Sequence, residues 1–346
     1  MPSSIIYVNP GHGNEPYILG GLIAQGVANH IETTTGQRPK IVMPLLYGDR
    51  QKAILKEWGV KGVRLDTSLG GMYHQLVFAD NNFSRHLKTT LIQQPSIQEV
   101  TRRYLERKYS DITLEVNIAS RISSGQRAVF AFPCLISELM EKTLGERVLA
   151  AQFDQEQLEQ FYRTMQEVER NFCLAFIPAY HTFSYDSNRT SKPNEVATPP
   201  LKPLSEPNND PLPRNSVYCM FSGTGSEVAE LEKRAQKLQQ EGNHIIVQPW
   251  ANTTQFDKRD TCVISNKNIK KVLGRAGWGT IWQCQQAGAE FEALPYSVGD
   301  DPEMYFNVRT LAEVPMLAAT QRQRELFTSM DGITFVVQRI IAEMRF

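Results

Sequence analysis

The two halves of the chain open with the same order of apolar and polar positions. The first half starts with the apolar run Ile5–Val8, which suits a buried strand, and continues with a glycine-containing turn over Asn9–Gly13. A helical pattern follows, with apolar residues three or four positions apart at Leu19, Leu22, Ile23, Val27 and Ile31. This half therefore predicts a strand, a tight turn and a helix.

The second half repeats that order. Val217–Phe221 predicts a strand, Ser222–Ser226 predicts a glycine turn, and His244–Val247 predicts the next strand. The helix between them carries its apolar face at Val228, Leu231, Ala235 and Leu238. Strand, glycine turn, helix and strand are typical of a doubly wound parallel sheet. The sequence thus predicts an α/β protein with two Rossmann-like domains facing a central cleft.

The same patterns predict the other elements along the chain. Further strands are expected at residues 40–44, 75–79, 128–132, 261–265 and 291–294. Further helices are expected at residues 97–108, 135–145, 154–170, 226–241, 280–287, 302–312 and 332–344.

One segment separates the two halves. Residues 187–215 are dense in proline, asparagine and serine, and proline lacks the amide hydrogen that a central strand needs. We interpret this segment as a linker or exposed loop between an N-terminal domain, residues 1–186, and a C-terminal domain, residues 216–330. The helix in residues 331–346 has an apolar stripe that predicts docking, with a return to the first domain as one option.

The composition of the chain excludes several classes of function. The chain has 346 residues with 37 basic and 37 acidic side chains, so no overall field attracts nucleic acid. No apolar run is long enough to span a bilayer, although peripheral membrane contact stays open. The start of the sequence does not resemble a signal peptide. The five cysteines lack the spacing of a zinc site. Together these features predict a cytoplasmic protein with reduced thiols.

The stretch from Leu273 to Asn307 carries the strongest candidate chemistry. A glycine turn over Gly277–Thr280 opens a short helix that Gly288 closes. A helix N-terminus offers unpaired amide hydrogens and partial positive charge, and glycine lets a ligand approach the backbone. The turn therefore suits a diphosphate. The structural alternative is a plain strand-to-helix connection.

This stretch resembles the second domain of GT-B-fold glycosyltransferases, in particular the UDP-sugar enzymes and the bacterial peptidoglycan N-acetylglucosaminyltransferase. Those enzymes share a glycine-x-glycine-threonine loop, a nearby acidic residue, an alanine-glycine helix end, a proline after a strand, and an aspartate followed by glutamine and asparagine. Here the pattern falls on Gly277, Gly279, Thr280, Gln283, Ala287, Gly288, Pro295, Asp301, Glu303 and Asn307. The resemblance implies a GT-B-like fold with an N-terminal acceptor domain and a C-terminal donor domain.

The resemblance also implies donor-binding roles. Gly277, Gly279 and Thr280 would hold the diphosphate, and Gln283 would contact the ribose. Asp301 and Glu303, with Met304, would lie beside the sugar. The family usually has glutamate where Gln283 stands, and glutamines where Glu303 and Met304 stand. Asp301 also suits a simple helix cap, because Pro302 follows it.

Other donor-side candidates lie on two neighbouring turns. In relatives, a loop equivalent to Ser222, Gly223 and Thr224 lines the cleft. Its structural alternative is a helix start, with Glu227 completing a capping box. Arg275 directly precedes the glycine turn and could offset diphosphate charge, and Lys270 and Lys271 are nearby in the sequence.

The N-terminal turn supports the same interpretation. Pro10–Pro16 resembles the proline, glycine-histidine and proline turn of inverting family members, in which the histidine acts as general base or sits beside the acceptor. His12 is thus the predicted base, since imidazole titrates near neutral pH. Gly11, Gly13 and Asn14 are predicted acceptor-side neighbours.

The resemblance implies inverting transfer of a sugar from a nucleotide diphosphate sugar, UDP-linked on the family's pattern, to an unidentified acceptor. The nucleotide sugar is a co-substrate, and no cofactor is expected. No metal is expected either, because the sequence has no aspartate-x-aspartate motif. Two alternatives remain open: a nucleotide-sugar epimerase, and a non-catalytic nucleotide-sugar binder or scaffold with the same fold.

Overall fold

A computed structural model describes residues 4–11, 13–77, 83–109, 112–118, 127–184, 190–203, 206–222, 225–313 and 330–344. The chain divides into two compact units. Unit 1 consists of the described residues up to Leu201, of Val298–Pro302, and of the described residues after position 329. Unit 2 consists of the described residues from Lys202 to Ser297 and from Glu303 to Glu313.

The described strands are β1 (Ile5–Pro10), β2 (Lys40–Pro44), β3 (Val63–Asp66), β4 (Ile112–Ile118), β5 (Ala128–Ala131), β6 (Leu174–Ile177), β7 (Glu195–Ala197), β8 (Ser216–Met220), β9 (His244–Val247), β10 (Asp257–Lys258), β11 (Ile269–Gly274) and β12 (Glu290–Ala293). The described helices are α1 (Asn14–Thr35), α2 (Gly48–Glu57), α3 (Thr67–Val77), α4 (Phe83–Lys108), α5 (Ile136–Gly145), α6 (Arg147–Ala150), α7 (Gln155–Arg170), α8 (Gly225–Gln240), α9 (Trp278–Ala287), α10 (Pro302–Glu313) and α11 (Gly332–Met344). Short 3₁₀ helices cover Ala179–His181 and Thr261–Ser265.

Unit 1 is built on a seven-stranded sheet in the order β3-β2-β1-β4-β5-β6-β7. Every strand pairing in it is parallel. All six residues of β1 are buried, as a parallel strand covered on both faces requires. The first strand is therefore central, with the chain winding outward from it in both directions.

Helix α11 completes unit 1 by packing on α1. A methyl group on Gly26 of α1 would lie 2.7 Å from Cγ2 of Val337, so only glycine allows this approach. At the start of α11, the Gly332 amide donates to the Pro200 carbonyl at 3.1 Å. A side chain at Gly332 would collide with the carbonyls of Pro199 and Pro200. Close backbone contacts thus fix the last described helix.

Unit 2 is built on a five-stranded parallel sheet in the order β10-β9-β8-β11-β12. Apolar residues of α8, including Leu231 and Ala235, pack on one face of the sheet. The other face is covered by the 3₁₀ helix at Thr261–Ser265 and by Cys284 of α9. The two layers of helices bury the sheet on both sides, as in a doubly wound fold.

The strand predicted at residues 75–79 is wrong where the structure describes it, because residues 75–77 belong to α3; residues 78–79 lie outside the described part. Asp66 Oδ1 accepts hydrogen bonds from the amides of Ser68 and Leu69 and so caps α3. Leu69 and Tyr73, four positions apart, are both fully buried. A short apolar run has no period of its own, and here the cap and the i, i+4 pair decide for helix.

The strand predicted at residues 261–265 is also wrong, because this segment is a 3₁₀ helix. The Val263 amide donates to the Asp260 carbonyl and the Asn266 amide to the Val263 carbonyl, both three residues back. Val263 and Ile264 are buried side by side, so the segment does not alternate as a half-buried strand would.

Part of the proline-rich segment 187–215 is strand. Glu195–Ala197 forms β7, which pairs with β6 at the edge of the unit 1 sheet. Prolines follow the strand at positions 199 and 200, which fits the confinement of proline to sheet edges and strand ends.

Within the described residues, no helix is both long and apolar enough to cross a membrane.

Candidate functional site

The strand order of unit 2 places two loops side by side. The chain passes from β8 outward to β9 and β10, and then returns to β11 on the other side of β8. The ends of β8 and β11 are adjacent, with Met220 opposite Gly274. A methyl group at Gly274 would lie 2.9 Å from Cβ of Met220, so glycine is required there. This is the topological switch point, where open α/β sheets bind ligands.

The loop after β11 leads directly into α9. Gly277 precedes the helix with φ −83° and ψ 135°, and its carbonyl accepts from the amides of Thr280 and Ile281, each at 3.1 Å. The amides of Trp278 and Gly279 belong to the first turn, where helix geometry provides no carbonyl partner within the helix. A methyl group at Gly277 would meet no atom within 4 Å. The turn therefore opens toward free space on the side of Gly277.

A side chain of α10 holds this turn in place. Asn307 is fully buried, and its Nδ2 donates to the Ala276 carbonyl at 2.7 Å and to Glu303 Oε1 at 3.2 Å. Glu303 is itself only 9% exposed. The two residues are one helical turn apart, so they form one cluster behind the loop. The structure thus places Glu303 and Asn307 beside the predicted diphosphate turn.

Three buried polar atoms around this turn have no hydrogen-bond partner within the described residues: Trp278 Nε1, Gln283 Oε1 and Asn307 Oδ1. Each of these side chains is at most 1% exposed. An unpaired buried polar group costs about 1–3 kcal/mol, so native proteins rarely leave several together without a reason. Their concentration at α9 and α10 marks the region as a candidate binding site.

Gln283 lies on the buried side of α9 and connects it to the neighbouring 3₁₀ helix. Its Nε2 donates to the Thr261 carbonyl at 2.7 Å. The amide nitrogen is therefore engaged by the protein, and the oxygen is the atom that remains for a ligand. The predicted ribose contact is not tested by these bonds and stays a prediction.

The first residues after β8 lie at the same switch point. Ser222 is partly exposed, and its amide donates to the Met220 carbonyl at 2.9 Å. Gly223 and Thr224 lie outside the described residues. Gln248, at the end of β9, is buried, and its Oε1 accepts from the Phe221 amide at 2.8 Å. The neighbouring strand thereby fixes where this loop leaves the sheet.

Arg275 connects the loop after β11 to α8 by an ion pair. Its Nε lies 3.3 Å from Oε1 of Glu227, in the first turn of α8. Lys270 and Lys271 are farther from the turn, at the start of β11, where Lys271 pairs with Glu290 and Glu292. Arg275 is thus the predicted cation that follows the carboxyl end of β11.

Asp301 and Glu303 fall in different units. Asp301 belongs to unit 1, where its partly exposed side chain follows Asp300. The Asp301 amide donates to Asp300 Oδ1 at 2.7 Å. Glu303 belongs to unit 2. The predicted contacts of both residues with a donor sugar stay predictions.

In unit 1 the corresponding switch point lies between β1 and β4. The Gly11 amide donates to the Ile118 carbonyl at the end of β4. Gly13 has φ 101°, which only glycine adopts without strain, and its amide donates to the Tyr47 hydroxyl oxygen at 2.8 Å. His12 lies outside the described residues, as does the side chain of Asn14, whose backbone begins α1.

Tyr47 and a polar network below the turn are contacts that the sequence did not single out. Burial raises the pKa of Tyr47 to about 12, although the hydrogen bond from Gly13 opposes this, so its hydroxyl stays neutral. Asn9 Nδ2 donates to Glu115 Oε1 at 2.9 Å, and the Tyr73 hydroxyl donates to Asn9 Oδ1 at 2.8 Å. These residues are far apart in the sequence, so no local pattern could reveal their contacts.

Two units with doubly wound parallel sheets in this order define the GT-B class of fold. Comparison with solved structures supports that assignment. The chain is similar to a UDP-glucosyltransferase from Polygonum tinctorium capable of glucosylating indoxyl, with TM-score 0.57, 11% identity, and coverage of 100% of this chain and 99% of the other.

Two further structures are similar over the same extent. The glycotransferase of kitacinnamycin has TM-score 0.54 and 11% identity, with coverage of 100% and 95%. A ugt transferase from Siraitia grosvenorii, in complex with UDP, has TM-score 0.54 and 10% identity, with coverage of 99% and 100%. No protein-family model matches the chain, and no curated protein matches it. At these identities the likeness establishes the fold.

Proposed function

We propose that this protein is a glycosyltransferase that moves a sugar from a nucleotide diphosphate sugar, UDP-linked by its resemblance, to an acceptor not yet identified. The observation that carries the proposal is the start of α9. It lies at the switch point of unit 2, it presents first-turn amides beside Arg275, and buried polar atoms without a partner among the described residues lie next to it.

In the proposed mechanism the diphosphate binds at Gly277, Gly279 and Thr280. The amides of α9 and the guanidinium of Arg275 stabilise the charge that develops on the leaving group, without a metal or another cofactor. His12 removes the proton from the acceptor hydroxyl as it attacks the anomeric carbon, and the configuration inverts. Gln283 Oε1 accepts a hydrogen bond from a ribose hydroxyl, and Asp301 and Glu303 contact the sugar.

The change Gly277→Ala tests the donor site. Alanine adopts the backbone angles of Gly277 without strain, and its methyl group meets no protein atom within 4 Å. We therefore expect unchanged folding stability. The methyl group would occupy the space through which a diphosphate approaches, so UDP affinity should fall by about tenfold or more, which equals about 1.4 kcal/mol.

Calorimetric titration with UDP, GDP and dTDP, without added metal, measures this effect. Gly145→Ala is the matched control, because a methyl group at the end of α5 also meets nothing within 4 Å. UDP binding that Gly277→Ala weakens and Gly145→Ala leaves intact supports the proposal. If the wild-type protein binds none of the three nucleotides at millimolar concentration, the proposed donor site is wrong.

A second candidate function is non-catalytic binding of a nucleotide sugar. The bond of Gln283 Nε2 to Thr261 favours it, because only a neutral oxygen remains where related enzymes place a carboxylate. The change His12→Ala separates the two functions. For a transferase we expect loss of UDP release from a UDP-sugar by about a hundredfold or more, with UDP affinity unchanged. A binder releases no UDP before or after the change.

A further inference from the structure

The ion pair between Arg275 and Glu227 occupies the switch point of unit 2. Arg275 follows the last residue of β11, and Glu227 lies in the first turn of α8, behind the loop that leaves β8. The side chain of Glu227 is only 4% exposed, and that of Arg275 is 25% exposed. Water therefore screens the carboxylate poorly, and the guanidinium still reaches solvent.

A diphosphate at the start of α9 would lie close to Arg275, which is two residues before Gly277, and would feel the charge of its partner Glu227. The guanidinium suits a phosphate group, because its planar fork donates to two oxygens at once. Glu227 opposes the same ligand in two ways: its negative charge repels the phosphates, and it competes with them for Arg275. A carboxylate in the first turn of α8 also stabilises that helix, but this role alone does not require an arginine from another strand.

We propose that Glu227 sets the affinity of the donor site, by positioning Arg275 beside α9 and by competing with the diphosphate for its guanidinium. This inference rests on the proposed function. Its consequence is discrimination by charge. Free UDP carries more negative charge than a UDP-sugar, because its terminal phosphate ionises again near neutral pH. Glu227 therefore weakens the binding of the product, UDP, more than the binding of the donor, the UDP-sugar. This difference favours product release.

The change Glu227→Gln tests the proposal, because glutamine keeps the length of the side chain and an oxygen that accepts from Arg275. We expect UDP to bind about threefold to thirtyfold more tightly, and the gain to be smaller for UMP, which has fewer phosphate charges. Glu230→Gln is the matched control. It removes the same charge from the same helix, and Glu230 is 44% exposed and paired with Arg234 instead.

Calorimetry on the full chain separates the outcomes. Tighter UDP binding by Glu227→Gln alone, with the larger gain for UDP, supports the proposal. Equal or weaker binding by this variant, while the wild type binds UDP, overturns the role of Glu227 and leaves the proposed function standing. Absence of UDP binding by the wild type overturns both.

A second variant tests the proposal independently, in case Glu227→Gln does not fold. Arg275→Gln should weaken UDP binding by about tenfold or more, because it removes the guanidinium for which Glu227 and the diphosphate compete. Unchanged UDP affinity in Arg275→Gln also overturns the proposal. Circular dichroism of each variant establishes that it is folded before it is titrated.

Discussion

The nitrogen and the oxygen of the Gln283 side-chain amide have different surroundings. This difference limits which side chains fit at position 283. Nε2 donates to the Thr261 carbonyl, and Oε1 has no partner among the described residues. A glutamate, the residue common in the resembled family, has no hydrogen to donate to that carbonyl at neutral pH. It would also place a charge on a side chain that is 1% exposed here.

We therefore expect Gln283→Glu to reduce the free energy of unfolding by about 2–4 kcal/mol, because the bond to Thr261 is lost and a buried carboxylate is left facing a carbonyl. Urea denaturation at pH 7 measures the change. The control is Gln285→Glu on the partly exposed side of the same helix, where a loss below about 1 kcal/mol is expected. Equal losses in both variants would show that the hydrogen bond of Gln283 to Thr261 and the burial of its side chain do not stabilise the fold.

The residues of the candidate site were predictable where local chemistry reveals them. The sequence predicts the glycine turn at Gly277, the helix that follows and the end of that helix at Gly288. In the structure Gly288 adopts φ 68° at the C-cap, a conformation that favours glycine. The sequence indicates Glu227 only as part of a helix-capping box. Its pairing with Arg275 depends on the adjacency of β8 and β11, which are far apart in the sequence, so the pattern could not reveal it.

At the scale of elements, the sequence predicts the glycine turns, amphipathic helices and most of the short apolar strands, such as β2 and β5, whereas two short apolar segments are assigned wrongly. The predicted helix at residues 154–170 corresponds to α7, where Asp154 caps the first turn through the Gln157 amide. The errors at residues 75–79 and 261–265 concern runs too short to show a period. Local hydrogen bonds decided both, through the cap at Asp66 and the turn at Asn266.

The packing of α11 on α1 gives a test at the same scale. Gly26→Ala should improve helix propensity by about 1 kcal/mol, yet its methyl group would collide with Val337, whose branched side chain has few alternative rotamers. We expect a net loss of about 1–3 kcal/mol in the free energy of unfolding.

Combining Gly26→Ala with Val337→Ala removes the colliding methyl groups, so the double variant should be more stable than Gly26→Ala alone. Urea denaturation of the wild type, both single variants and the double variant gives the coupling energy. Strictly additive losses would show that the close approach at Gly26 does not control the packing of α11.

At the scale of the whole molecule, the two units differ in how the chain builds them. The sheet of unit 2 uses consecutive stretches of chain, from β8 to β12. Unit 1 combines its own sheet with Val298–Pro302, where the Gly299 amide donates to Gln152 Oε1 at 3.1 Å, and with α11. The assignment of α11 to unit 1 agrees with the return to the first domain that the sequence left as one option, whereas Val298–Pro302 lies inside the segment 216–330 that the sequence assigned to the second domain.

The position of α11 has a consequence for synthesis in the cell. The ribosome makes α1 early, but it makes the whole sheet of unit 2 before it reaches Gly332. At about 5–20 residues per second, this delay is on the order of tens of seconds. Throughout that time the face of α1 around Gly26 has no helix to cover it. The final packing of the first unit therefore comes late in synthesis, and the nascent chain must keep that apolar face of α1 from other partners until α11 arrives.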